Sequence, residues 1–174
     1  MTPPKRPLAW ILSPPALPWL VAGSSALLLA AAHVMEAYGL YPCDLCLRQR
    51  EAYWTAIPFA LAAALVPKWK AAPRGLAPVL MAAAAAALLY GAGRAFQHTG
   101  VVAHWWAAAC SAVKHLSIDD VMSGRVSTPL VACDAAPKFF GVALPVYNFF
   151  AALGLAALAA LAPVRALLKK TRHD

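Results

Sequence analysis

The chain has 174 residues, of which 62% are hydrophobic and 13% charged, with a mean hydropathy of +0.63. Soluble domains carry about 25% charged residues, so this balance excludes an ordinary water-soluble fold and points to the membrane. The net charge of +8 does not indicate a nucleic-acid partner, because the basic residues gather at the ends of apolar segments.

Residues 1–16 carry Pro3, Pro4, Pro7, Pro14 and Pro15, which predict a non-helical lead. Four apolar stretches follow, at about 17–38, 47–66, 76–96 and 140–164. A bilayer core needs roughly 20 apolar residues in helix, so each is read as a span. Lys5, Arg6 and the Ala30-Ala31-Ala32 run also fit a cleaved signal peptide. The apolar run exceeds a signal h-region of about 7–15 residues, so a retained span is expected. Gly23, Ser24 and Ser25 offer a small face for helix contact, and His33 and Glu36 form its polar outer end.

The second span opens on Pro42-Cys43-Asp44-Leu45-Cys46, with Arg48, Gln49, Arg50 and Glu51 just inside. Asp44 is expected to cap its first turn, and Pro58 to kink its middle. The third span holds an alanine run, then Gly91, Gly93 and Arg94, the last read as a snorkelling anchor. A loop of 43 residues, 97–139, carries the second cysteine pair, Cys110 and Cys133. Trp105 and Trp106 read as headgroup anchors. Ser117-Ile118-Asp119-Asp120 resembles a capping box, so a short amphipathic helix is expected there, ended by Gly124. The fourth span follows Phe139, Phe140 and Gly141, with Pro145, Tyr147 and Asn148 in its first turns.

The fold class is therefore all-α: one integral membrane four-helix bundle over 1–174, with a long loop. Lys68, Lys70 and Arg74 fill the turn after the second span, and Arg165, Lys169, Lys170 and Arg172 follow the fourth. The long loop is neutral, with Lys114, Arg125 and Lys138 against Asp119, Asp120 and Asp134. The positive-inside rule then puts both termini in the cytoplasm and all four cysteines outside, where disulfides persist.

A CxxC pair is a redox or metal device more often than a packing choice. Cys46 and Arg50 are four apart, so they share a helix face, and a cation there stabilises a thiolate. Arg48 points elsewhere and reads as an anchor. Zinc is one alternative, with His104 and His115 as further ligands, and static disulfides are another. Cys110 and Cys133 lack the tight spacing of a zinc knuckle, so no metal is expected. Two pairs suit a relay of mixed disulfides, with one pair meeting a soluble partner and the other a lipid-soluble acceptor.

With these features the chain resembles the DsbB family of bacterial inner-membrane disulfide-bond-formation proteins. Pro42-Cys43-Asp44-Leu45-Cys46, Arg50, Phe96-Gln97-His98-Thr99-Gly100-Val101 with Trp105-Trp106, and the run from Cys133-Asp134 through Phe140-Gly141 to Pro145 carry the resemblance. It implies that Cys43, Cys46, Cys110 and Cys133 are the redox-active residues and that Arg50 contributes to quinone binding. It implies a periplasmic thioredoxin-like thiol oxidase (DsbA-like) as electron donor and a membrane quinone, ubiquinone or menaquinone, as acceptor. An ordinary dithiol near −270 mV would have to climb about 150 mV to oxidise a strong oxidant near −120 mV, about 7 kcal/mol uphill, so an external acceptor is required. Two alternatives remain. A vitamin K epoxide reductase-like enzyme also joins CxxC to quinone in a four-helix bundle, but there the loop cysteines precede the CxxC. The other is a non-enzymatic membrane metal-binding protein.

Overall fold

The structure is a computed structural model in which residues 15–73, 75–107 and 131–172 are described. Four long helices dominate: α1 (Leu17–Ala37), α2 (Asp44–Leu65), α3 (Leu76–Val102) and α4 (Leu144–Lys170). A 3-10 turn, Val66–Lys68, follows α2, and a two-stranded antiparallel ladder, β1 (Lys138–Phe139) with β2 (Val142–Ala143), precedes α4. Each helix packs on the next, most extensively α3 on α4 and α2, and α1 also touches α4. The ends that converge are the C-terminal ends of α1 and α3 and the N-terminal ends of α2 and α4.

α1, α3 and α4 are long and apolar enough to cross a membrane. α2 falls short by composition because Asp44, Arg48, Arg50 and Glu51 occupy its first two turns. The core is built from small side chains. Ala56, Ala60, Ala84, Ala92, Ala152 and Ala159 are buried beside Val21, Met81 and Leu88, while Leu27, Trp54, Val79 and Phe150 face outward. This is membrane logic: lipid is as apolar as Leu, so association rests on close van der Waals packing between small residues. Gly91 of α3 shows it directly, since a Cβ there would come within 2.6 Å of the Ala52 Cβ on α2.

Three expectations change. α3 runs to Val102 rather than ending near 96, so Gln97 and His98 are helical, not loop. The sequence there is polar, but His98, Gly100 and Val101 turn inward and are buried. Trp106 lies over Gly100, where any Cβ would overlap its indole, and its Nε1–H donates to the Gln97 carbonyl at 3.0 Å. α4 begins at Leu144 rather than 140, because Phe140 (φ 50°) and Gly141 (φ 80°) make the left-handed turn of the ladder instead. The cap of α2 is Cys43, not Asp44: its sulfur accepts the Cys46 backbone N–H at 3.4 Å. Pro58 sits inside a continuous α2. The amphipathic helix expected near 117–124 and Cys110 lie outside the described residues.

Candidate functional site

α2 starts at the convergent end of the bundle, and its N-cap sulfur belongs to Cys43. The Cys43 and Cys46 sulfurs are 3.1 Å apart and both are free thiols. Cys133 is 1% exposed, is disulfide-bonded, and packs with Cys43, Leu45 and Val101 in one small apolar cluster. The structure thus places the CxxC pair and Cys133 side by side.

Between them stands His98, with no exposed surface. Its Nε2 lies 3.7 Å from the Cys43 sulfur and 2.9 Å from the Cys133 carbonyl oxygen. Its Nδ1 lies 3.9 Å from the Cys46 sulfur and 2.9 Å from Gln49 Nε2. The hydrogen bond from the Cys46 thiol lowers the Cys43 thiol to about 4, against the opposing effect of burial, with His98 and the Cys46 backbone N–H adding to it. A sulfur at a helix N-terminus that accepts a backbone N–H is the expected home of a thiolate.

Arg50 lies one turn below Cys46, on the same face. Its Nη1 donates to Glu36 Oε2 at 2.7 Å and its Nη2 to the Ala32 carbonyl at 3.3 Å, so the guanidinium is tied to α1. The side chain is 15% exposed and Glu36 32%. Glu36 at the end of the first apolar stretch is thus the counter-ion of Arg50. Arg48 lies on the exposed side, paired with Asp44 at 3.2 Å, and Arg94 binds Tyr90 and Gln97 along its own helix.

Cys46, Gln49, Arg50 and His98 share one cavity of about 490 Å³. Its remaining walls are largely apolar: Leu28, Ala31, Met35, Leu40, Pro42, Pro137, Leu144 and Pro145. An apolar cleft of this size with polar groups gathered on one wall suits a flat organic ring with a carbonyl to be recognised. Arg50 and Cys46 stand on the polar side of this cavity. A metal fits less well. Cys43, Cys46 and His98 bring three donor atoms within 4.8 Å of one another, but both ring nitrogens of His98 already have partners.

Sequence reasoning singled out the four cysteines and Arg50. Cys43, Cys46, Cys133 and Arg50 come together here, and Cys110 lies outside the described residues. It left His98 in the loop and missed Gln49, Tyr53 and Asn148. The available signal was polarity: Gln49, His98 and Asn148 are out of place in apolar helices unless they face the interior.

The family model described as disulfide bond formation protein DsbB matches residues 15–162. No curated protein and no solved structure matches the chain.

Proposed function

The chain belongs to the DsbB family, membrane oxidoreductases of disulfide-bond formation, and from that premise we propose that it reoxidises a periplasmic thioredoxin-like (DsbA-like) dithiol oxidase and passes the electrons to a membrane quinone. All four helices cross the bacterial inner membrane, both termini are cytoplasmic, and the convergent end of the bundle faces the periplasm. A quinone supplies a two-electron, two-proton acceptor. The rest is done by the chain's own residues.

The soluble oxidase attacks Cys110 and forms a mixed disulfide, which releases Cys133 as a thiolate. Cys133 attacks the Cys43–Cys46 disulfide at Cys43, and Cys46 leaves as the thiolate facing the cavity. The second oxidase thiol resolves the bond to Cys110, which then closes on Cys133 and frees the Cys43 thiolate. Each step forms one S–S bond and breaks one, so two electrons arrive on Cys43 and Cys46. Arg50 would hold the acceptor's oxygen, because a fixed cation in a low-dielectric cavity favours negative charge there. Glu36 aims the guanidinium.

The observation that carries this reading is that Cys46 and Arg50 share an apolar cavity while Cys43 packs against Cys133. The test is the apparent KM for a short-chain quinone. Losing a charge-assisted hydrogen bond worth about 1.5–3 kcal/mol should raise it tenfold or more in Arg50→Gln. Arg50→Lys should raise it less, because the charge stays and the planar fork is lost. Arg48→Gln should leave it unchanged. Equal values for wild type and folded Arg50→Gln would reduce Arg50 to an anchor.

A further inference from the structure

Five polar groups from four parts of the chain form one continuous line. The Tyr53 hydroxyl donates to Asn148 Oδ1 at 2.6 Å, and Asn148 Nδ2 donates to Gln49 Oε1 at 2.5 Å. Gln49 Nε2 meets His98 Nδ1, and His98 Nε2 meets the Cys133 carbonyl, both at 2.9 Å. Gln49 is 5% exposed, Tyr53 4% and His98 not at all.

The direction of the line follows from its one fixed end. A backbone carbonyl only accepts, so His98 Nε2 must carry a proton. In the neutral ring Nδ1 is then a lone pair, and Gln49 must present its NH₂ to it. That turns the Gln49 oxygen toward Asn148, which presents its NH₂ in turn and leaves its oxygen for the Tyr53 hydroxyl. Each contact in the line then pairs a donor with an acceptor. Reversal at the ring would require both amides to turn together, and each would otherwise face its own kind across a buried contact.

We propose that Asn148 and Tyr53, acting through Gln49, are positioning residues that hold His98 as the Nε2–H tautomer, with N–H toward Cys43 and lone pair toward Cys46. The two sulfurs of one pair are thereby made unequal. The Nε2–H that donates to the Cys133 carbonyl also lies 3.7 Å from the Cys43 sulfur and favours its thiolate, whereas Cys46 faces an acceptor. The same ring holds the backbone of Cys133 against the pair. The inference draws on the redox reading of Cys43 and Cys46 only for its second readout, since the tautomer can be measured without turnover. The other titratable groups around the cavity are Tyr41, Cys46, Arg50, Tyr53 and Tyr147, with Arg50 balanced by Glu36.

Asn148→Asp tests the direction. An ionised carboxylate accepts only, so Gln49 must turn its NH₂ toward it and its oxygen toward His98, which then has to carry a proton on Nδ1. The measurement is the ¹⁵N signal of the His98 ring in the full-length reduced protein in detergent or nanodiscs. Wild type should show a lone-pair Nδ1, and Asn148→Asp an N–H Nδ1, as the other tautomer or the imidazolium. An N–H now facing the Cys46 sulfur stabilises the reduced pair. The glutathione equilibrium of Cys43 and Cys46 should therefore shift about tenfold toward the dithiol. Tyr53→Phe keeps the packing and removes the terminal donor, so a second, Nδ1-protonated population of His98 should appear even if Asn148→Asp fails to fold. A purely structural line would lower stability and leave ring signals and equilibrium as in wild type. Wild-type ring signals in the folded variants, or a protonated Nδ1 in wild type itself, would overturn the proposal whatever the quinone kinetics show.

Discussion

Cys43 is where sequence, helix geometry and chemistry meet in one atom. As the N-cap of α2 it accepts the Cys46 N–H, and as a thiol it sits beside the Cys46 thiol and His98. Its pKa is lowered from 9.0 to about 4. A depressed pKa stabilises the folded, reduced state fully above the ordinary thiol value, and that contribution is lost as pH falls through about 4. Alkylation of reduced Cys43 should therefore hold a plateau from neutral pH down to about pH 5 and fall below that. Cys46→Ala removes the largest cause, so its reactivity should begin to fall at a higher pH. A wild-type profile that already declines from pH 9 downward would show an ordinary thiol. Glu36→Gln should raise the quinone KM less than Arg50→Gln, because Arg50 keeps its charge and its bond to the Ala32 carbonyl.

At the scale of elements, the contacts that matter are close approaches between backbones. Gly91→Ala puts a methyl 2.6 Å from Ala52. Such overpacking costs about 1–3 kcal/mol and should lower the thermal midpoint in detergent. Gly93→Ala, with nothing within 4 Å, should leave the midpoint unchanged or slightly raised. Equal midpoints would mean that α2 and α3 are not held at Gly91. Much of this level was legible in the sequence. The starts of α1 and α3 and the position of α2 follow from apolar runs and from the Pro42-Cys43 start signal. The end of α3 was not legible, because Gln97-His98-Thr99 reads as polar loop until its inward face is known. The ladder before α4 was missed because two-residue strands have no periodicity, and the left-handed Phe140 is a backbone state that Phe rarely adopts. Arg50 could be placed on the Cys46 face by counting residues. Its tie to Glu36, and the line from Tyr53 to Cys133, could not, because they join residues 14 to 99 apart that only the packed bundle brings together.

The whole molecule is a bundle with its chemistry at one end. The basic residues at the opposite end, Lys68 and Lys70 after α2, favour the cytoplasm there. Reduced cysteines should accordingly be labelled by a membrane-impermeant thiol reagent in intact spheroplasts. Labelling only after the membrane is broken would reverse the orientation. With the oxidised oxidase as partner, the free Cys110 thiolate of Cys133→Ala should attack the oxidase disulfide, release one oxidase thiol and accumulate as a mixed disulfide, since the Cys133 thiol that would displace it is gone. Trapping only through Cys43 would reverse the order of the relay.

The central claim is that soluble dithiol electrons cross two cysteine pairs to a quinone. It is tested most directly by mixing the purified protein, a reduced thioredoxin-like periplasmic oxidase and a short-chain quinone without oxygen, and following both products. One quinol should form for each oxidase disulfide, and Cys133→Ala or Cys46→Ala should abolish both. Oxidase that stays reduced while quinone stays oxidised, in wild-type protein that retains its fold, would contradict the account.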